Sequence, residues 1–107
     1  MKGLNRVSLI GHLGKDPDHK EINGELQVAK VTMATTETYR DKDGTLKAQT
    51  DWHSLVMWGK LAQVAQKHLK KGTHLFVEGK LKCRKYQDKA GQTKYVSEII
   101  VENILML

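Results

Sequence analysis

Residues 50–72 read TDWHSLVMWGKLAQVAQKHLKKG, and the period of their apolar residues changes once, at Gly59. Before Gly59 the chain alternates as a strand does, with Leu55 and Met57 on one face and both tryptophans on the other. After Gly59 the period is helical, and the residues that share one helical face are Leu61, Val64, Ala65, His68 and Leu69. The stretch therefore predicts a strand followed directly by a helix.

Four further strands are predicted around this stretch. Alternation and β-branched residues place the five strands at 5–13, 26–39, 50–58, 73–86 and 93–104. The residues between them favour turns at 14–24, 40–47 and 88–91, and Gly72 is well placed to end the helix. Gly11 is expected where a small barrel bends. Five strands with one helix between the third and fourth match the OB-fold, so we expect an all-β Greek-key barrel that spans 1–107 as one domain.

Composition limits the classes of ligand and the cellular compartment to be expected. Eighteen Lys and Arg residues against twelve Asp and Glu give a net charge of +6, a balance that draws a small domain to phosphate or to an acidic membrane surface. Cys83 is the only cysteine, which suits a reducing compartment, and its place among apolar odd-numbered positions predicts a small core residue. The apolar runs are too short to span a membrane and the N-terminus has no signal-peptide core, so we expect a cytoplasmic protein.

Aromatic and cationic side chains share strand faces. In 73–86 the odd positions are apolar or small, including Leu81, whereas the even positions carry Lys80, Lys82, Arg84 and Tyr86. Trp52 and Trp58 share a face of the third strand, and Tyr39 lies at the far end of the second. Rings stack on bases of any identity and cations follow phosphates, which is what binding of single-stranded nucleic acid requires. The alternative for either tryptophan is an ordinary place in the barrel core.

The chain resembles the bacterial-type single-stranded-DNA-binding proteins over nearly its whole length. The motifs are NRV at 5–7, GHLGKDP at 11–17, AT at 34–35, YRD at 39–41, QTDWH at 49–53, WGKLA at 58–62, LKKG at 69–72, VEGKL at 77–81 and RKY at 84–86. The resemblance implies that bases stack on Tyr39, Trp52, Trp58 and Tyr86. The cations expected at the DNA are Arg6, Arg40, Lys60, Lys71, Lys80, Lys82, Arg84 and Lys85.

The same resemblance implies a homotetramer that protects single-stranded DNA in replication, recombination and repair at the nucleoid, without catalysis, metal or cofactor. It places His53 close to a subunit contact. Strand one, beginning near Leu4, is also a plausible edge for pairing with another chain. Family members usually continue into a flexible tail that recruits replication and repair proteins. This sequence stops at Leu107, so such partners are expected only if a tail follows.

The sequence also bears on two other classes of function. An enzyme would use the histidines and acids, but His12, Asp16 and His19 have no third metal ligand beside them and are better explained as solvated turn residues. Asp51 and His53 lack a nucleophile at matching spacing. An OB-fold also serves RNA-binding modules and tail-less replication-restart paralogues, and both remain open.

Overall fold

The computed structural model describes residues 2–107, which form strands with one intervening helix. The strands are β1 (Val7–Leu13), β2 (Asp18–Ile22), β3 (Leu26–Arg40), β4 (Leu46–Trp58), β5 (His74–Gln87) and β6 (Thr93–Met106), and helix α1 (Lys60–His68) lies between β4 and β5. The sheet order is β1-β5-β6-β4-β3-β2, and β1 also pairs with β3. That last pairing closes five strands into a barrel, which is the expected OB-fold.

Strand β2 was not predicted from the sequence, which indicated only turns at 14–24. It pairs antiparallel with the start of β3, from Asp18↔Lys30 to Ile22↔Leu26. The turn between β2 and β3 consists of residues 23–25, and Asn23 and Gly24 in it have positive φ angles of 56° and 74°, which these two residue types adopt more readily than others. Because β2 lies outside the closed barrel, α1 follows the fourth strand of the chain rather than the third. Counted along the barrel strands alone, α1 still lies between the third and the fourth.

Two long hairpins extend the barrel. Strands β3 and β4 stay in one register from Val28↔Trp58 to Arg40↔Leu46, so β4 begins earlier than the predicted residue 50. In the tight turn that follows, Asp41 Oδ1 accepts hydrogen bonds from the backbone N–H groups of residues 43 and 45. Strands β5 and β6 continue in the same way to Gln87↔Thr93. The molecule is therefore elongated, measuring 56 × 37 × 37 Å.

The barrel interior is apolar and α1 packs against it. Its main members are Leu13, Ala29, Val31, Met33, Leu55, Met57, Ala62, Ala65, Leu69, Leu75, Val77, Ile99 and Val101. The helix ends at His68, before the predicted stop at Gly72, because Leu69 is already extended while its side chain stays buried. Gly72 instead adopts a φ of 88° in the next turn and donates its N–H to Leu13 O at 2.8 Å. No helix within residues 2–107 is long and apolar enough to cross a membrane.

Barrel closure brings two backbones together at Gly11. A methyl group on Gly11 would overlap the carbonyl oxygen of Ala34 on β3, and it would lie 3.0 Å from Met33 Cγ. The expectation that Gly11 relieves crowding in the barrel is confirmed. Gly79 has the same relationship to the carbonyl oxygen of Ile100, beside the register shift between Glu78 and Gly79.

Candidate nucleic-acid interface

The two tryptophans lie on the outer face of the barrel. Strand β4 alternates, so the burial of Leu55 and Met57 in the core turns Trp52 and Trp58 outward. The exposed fraction is 62% for Trp52 and 43% for Trp58. Neither ring therefore belongs to the core, and both are accessible for stacking.

A groove connects the two rings. At one end the Trp52 ring lies against Gly14, near Thr32 Oγ1. The middle is a pocket of about 240 Å³ lined by Lys15, Asp18, Lys30, Val31, Thr32, Ser54, Leu55 and Glu98. The other end is a pocket of about 190 Å³ lined by Asp18, Lys20, Ile22, Val28, Lys30 and Trp58. Because the two pockets share Asp18 and Lys30, the groove is continuous up to Trp58.

Three lysines of this groove were missed by the sequence analysis. Lys20 comes to the groove only because β2 folds back along β3, and β2 was not predicted, whereas Lys15 follows Gly14, whose N–H is bonded to Thr32 O. Lys30 could have been predicted, since it is the one charged residue in the stretch 28–34, which is otherwise uncharged. The structure pairs it with Val56, on the face of β4 that carries the tryptophans. The groove also holds two acids, Asp18 and Glu98, which reduce its positive charge.

The predicted basic row of β5 shares this outer face. Lys80 pairs with Ile100, which in turn pairs with Val56 between the two tryptophans along β4. Cross-strand partners point to the same side of a sheet, so Lys80, Lys82, Arg84 and Tyr86 lie on the side of Trp52 and Trp58. The row therefore continues the tryptophan groove across three strands.

Arg84 is the most constrained cation of that row. Its Nε donates to Glu98 Oε1 at 2.8 Å, and this hydrogen bond, with the attraction of the carboxylate charge, raises the pKa of Arg84. The guanidinium carbon lies 5.9 Å from the centroid of the Tyr86 ring. Within residues 2–107 Lys80 and Lys82 have no ion-pair partner, whereas the charge of Arg84 is partly balanced by Glu98.

Tyr39 does not join the other three aromatics. The unbroken β3–β4 register pairs Tyr39 with Lys47 and Ala34 with Trp52, so Tyr39 and Trp52 have opposite strand parity and lie on opposite faces of the hairpin. Arg40 is on the side of Trp52, and its Nη1 donates to Gly44 O at 2.9 Å. The structure thus brings together Trp52, Trp58 and Tyr86 but leaves Tyr39 on the other side.

The remaining predicted cations are spread around the barrel. Arg6 forms an ion pair with Glu78 at 3.6 Å. Lys60 is the first residue of α1, two positions after Trp58. Lys71 lies in the turn after α1, where its backbone N–H donates to Asp16 Oδ1 at 2.8 Å. Lys85 lies on the face of β5 opposite Tyr86.

The prediction that Cys83 is a core residue is wrong. Cys83 is exposed, 3.2 Å from Ser97 Oγ across the hairpin, and Leu81 on the same face is 45% exposed. The alternation of β5 was interpreted correctly, because Leu75 and Val77 are fully buried. Beyond the barrel, however, the β5–β6 hairpin has no core to cover its odd-numbered face.

The histidines and acids of the enzyme hypothesis have separate partners. His12 stacks on His74 with ring centroids 4.4 Å apart. His19 Nε2 lies 2.7 Å from Gln27 Oε1. His53 Nε2 lies 2.8 Å from Thr35 Oγ1 and is half-buried. Within residues 2–107 no three His, Cys, Asp or Glu side chains are grouped so that they could hold a metal ion.

The two predicted subunit-contact residues are His53, which is half-buried, and Leu4, which is exposed. Leu4 is 87% exposed and precedes β1, which begins only at Val7. Strand β1 pairs with β5 from Val7 to His12 but with β3 only at His12 and Leu13. Over 7–10, therefore, the edge of β1 away from β5 has no partner strand within the described part of the chain.

An OB barrel with exposed tryptophans along a lysine-lined groove has the features of the OB-fold proteins that bind single strands. Residues 4–107 match the profile of the single-strand binding protein family. The chain belongs to this family.

Individual relatives agree with this assignment. Single-stranded DNA-binding protein 1 of Chlorobaculum tepidum is 44% identical, over 99% of this chain and 66% of its own length. The structure of the Plasmodium falciparum SSB complex with ssDNA matches with a TM-score of 0.92 at 36% identity, covering 100% of this chain and 97% of that one. A deletion mutant of the Thermus aquaticus single-stranded DNA binding protein matches with a TM-score of 0.84 at 30% identity, covering 98% and 51%. The chain thus spans 66% of the length of the curated relative.

Proposed function

We propose that this protein binds single-stranded DNA without sequence preference and protects it during replication, recombination and repair, with no catalytic step. The observation that carries the proposal is the groove from Trp52 to Trp58, which has an exposed ring at each end and lysines between them. Each ring offers a flat surface to any base, and one such stack contributes roughly 1–3 kcal/mol. Single-stranded nucleic acid presents bare bases and phosphates together, which is the combination that this groove fits.

The cations of the outer face supply the second part of the binding. Lys15 and Lys30 line the middle of the groove, and Lys80 and Lys82 extend it along β5. Each phosphate contact releases counterions from a single strand and adds about 0.7 to the slope of log K against log salt. The carboxylates of Asp18 and Glu98 repel phosphates, so the DNA backbone is expected to pass closer to the lysines of the groove than to these two acids.

The relatives favour DNA as the ligand. The Chlorobaculum tepidum relative is named as a single-stranded DNA-binding protein, and the Plasmodium falciparum structure is a complex with ssDNA. We assign the stacking role to Trp52, Trp58 and Tyr86 on the outer face and to Tyr39 on the other face of the β3–β4 hairpin. The cations that we propose contact the DNA are Arg6, Arg40, Lys60, Lys71, Lys80, Lys82, Arg84 and Lys85.

The assembly that we propose is a homotetramer of one OB-fold domain per chain. The unpaired edge of β1 over 7–10 supports this, because an open strand edge pairs readily with another chain. Linked grooves would bind one DNA strand more tightly than separate ones. The expected location is the bacterial cytoplasm at the nucleoid.

Competition among nucleic acids tests the function. A fluorescein-labelled dT oligomer bound to the protein is challenged with unlabelled poly-dT, duplex DNA and RNA of matched length. Poly-dT is expected to displace the probe at far lower concentration than duplex. Equal competition by duplex would contradict the proposal, and stronger competition by RNA would favour an RNA-binding module. The variant Trp52→Ala is expected to lose roughly 5- to 150-fold in affinity, with Gln63→Ala, a change at an exposed residue of α1 outside the groove, as the control.

A further inference from the structure

Two consecutive rungs of the β5–β6 hairpin carry the same pair of residue types on opposite faces. Lys85 pairs with Tyr95, and the next rung pairs Tyr86 with Lys94. Neighbouring rungs alternate between the two faces of a hairpin and lie about 3.4 Å apart along the strands. The tyrosine–lysine pair on the outer face is therefore repeated, with its strands exchanged, on the opposite face.

Tyr95 is open to a ligand. Its exposed fraction is 77%, higher than the 62% of Trp52 and the 46% of Tyr86. The other residues on its face are Leu81, Cys83, Gln87, Thr93, Ser97 and Ile99, none of which is acidic. The nearby Asp88 is engaged in the turn, where its Oδ1 accepts hydrogen bonds from the N–H groups of Ala90 and Gln92.

Lys85 has a charge that the hairpin does not balance. It forms no ion pair within residues 2–107, whereas Arg84 on the outer face is bonded to Glu98 at 2.8 Å. On the β3–β4 hairpin the pair on the face opposite Trp52 is Tyr39 with Lys47, and that lysine forms an ion pair with Asp41 at 3.4 Å. Each hairpin thus has a tyrosine–lysine pair on the face opposite the tryptophans. The pair of Tyr95 and Lys85 is better suited to a phosphate beside a stacked base, because its lysine has no ion-pair partner among residues 2–107.

We propose that Tyr95 and Lys85 form a further base-stacking position for single-stranded DNA, on the face of the β5–β6 hairpin opposite Tyr86. The DNA strand passes around this hairpin and contacts both of its faces, instead of following the outer face alone. The inference rests on the proposed function, because it takes single-stranded DNA as the ligand. The adjacency of the two tyrosine–lysine rungs supports it, because a DNA strand bound at Tyr86 on the outer face is only one rung away from Tyr95.

The experiment measures binding of a labelled dT oligomer of about 16 nucleotides, the upper end of the site size of one OB-fold. The variants are Tyr95→Ala, Tyr95→Phe and, on the outer face of the same hairpin, Tyr86→Ala. Tyr95→Ala is expected to weaken binding roughly 5- to 150-fold, as loss of one stack does. Tyr95→Phe keeps the ring and is expected to stay within about twofold of the parent protein. Lys85→Ala is expected to lower the salt slope by about 0.7.

Two further measurements identify the contact. Photo-cross-linking with bromodeoxyuridine-substituted oligomers is expected to label the peptide that contains Tyr95. Unchanged binding by Tyr95→Ala, together with a loss in Tyr86→Ala and Trp52→Ala, would overturn this inference and leave the proposed function intact. No loss in any of the three would instead contradict the proposed function. A changed mass of Tyr95→Ala in sedimentation, with no Tyr95 cross-link, would show a subunit contact there and also overturn the inference.

Discussion

Gly14 lies directly against the ring of Trp52. A methyl group on Gly14 would overlap Cζ3 of that ring and lie 2.9 Å from its Cη2. Gly14 cannot retreat, because its N–H donates to Thr32 O at 2.9 Å on the neighbouring strand. The absence of a side chain at residue 14 therefore sets where the Trp52 ring rests at its end of the groove.

The variant Gly14→Ala should move the Trp52 ring and weaken DNA binding without unfolding the barrel. The overlapping atoms are the far end of a mobile side chain, so the ring yields before the backbone does. We expect a loss of up to the full value of one stack, roughly 5- to 150-fold in affinity. Titration of oligo-dT together with a melting curve checks this. Gly3→Ala, whose new methyl meets nothing within 4 Å, is the matched control. Normal affinity in Gly14→Ala would show that the ring position is unimportant.

Each tryptophan should report its own contact with DNA by fluorescence. Trp52→Phe leaves Trp58 as the only tryptophan, and Trp58→Phe leaves Trp52, so selective excitation of tryptophan reports on one ring at a time. Because both rings are exposed at the groove, both single-tryptophan variants should be quenched by saturating oligo-dT. Free tryptophan in the same buffer controls for absorption by the DNA. An unchanged emission from one variant would remove that ring from the binding surface.

The barrel strands and their faces were predictable, because successive side chains of a strand point alternately to the barrel interior and to its outer face. Leu55 and Met57 were assigned inward and Trp52 and Trp58 outward on that basis, as the structure has them. In the hairpins beyond the barrel neither face is covered, so alternation there does not distinguish core from surface positions. For this reason Cys83 was wrongly assigned to the core.

The groove itself depends on pairing that the sequence does not reveal. Strand β2 reads DHKEI, and an edge strand exposed to water needs no apolar alternation. Without β2, Lys20 could not be placed near Trp58. The opposite facing of Tyr39 and Trp52 likewise depends on the β3–β4 register, which the length of the turn decides.

The basic row should contribute unequally to the salt dependence. Lys80→Ala and Lys82→Ala should each lower the log–log slope by about 0.7 if each contacts one phosphate. Arg84→Ala should lower it by less, because Glu98 already balances part of that charge. Glu98→Gln should strengthen binding and steepen the slope. Binding isotherms over a range of NaCl concentrations measure this. Equal slopes in all four variants would place the row outside the DNA path.

The Arg84–Glu98 pair should not make binding pH-dependent near neutrality. The pair raises the pKa of Arg84 above its already high usual value. A group whose pKa rises on folding contributes its stabilisation below the unfolded value and loses it only as the pH rises through the folded value. That window is far above neutral pH, so the difference in affinity between the parent protein and Arg84→Ala should be constant across neutral pH. A difference that varied there would require another titrating group.

Gly11→Ala should destabilise the barrel. The new methyl would overlap the carbonyl oxygen of Ala34, which is backbone and cannot turn aside. Overpacking of this kind costs about 1–3 kcal/mol. Urea unfolding followed by circular dichroism measures the free energy of unfolding, with Gly3→Ala again as the control. A stability equal to that of the parent protein would mean that β1 and β3 separate easily at this point.

Assembly is expected to depend on His53. The side chain is half-buried on the core-facing side of β4, opposite Met33, and its Nε2 lies 2.8 Å from Thr35 Oγ1. A lysine here would bring a fixed charge to a half-buried site and would remove this contact. If residue 53 lies at a subunit contact, His53→Lys should dissociate the proposed tetramer and weaken DNA binding with it.

Light scattering at micromolar concentration distinguishes a tetramer from a monomer of 12.1 kDa. His53→Gln keeps a hydrogen-bonding side chain for Thr35 and should remain assembled. His68→Lys places the same charge at an exposed residue of α1 and should also remain assembled. Dissociation only in His53→Lys would then identify the charge at residue 53 as the cause, provided that its circular dichroism stays that of a folded barrel. A parent protein with the monomer mass would refute the tetramer. Full DNA affinity in a monomeric, folded His53→Lys would show that each barrel binds independently, because wrapping of one strand over several grooves requires the assembly.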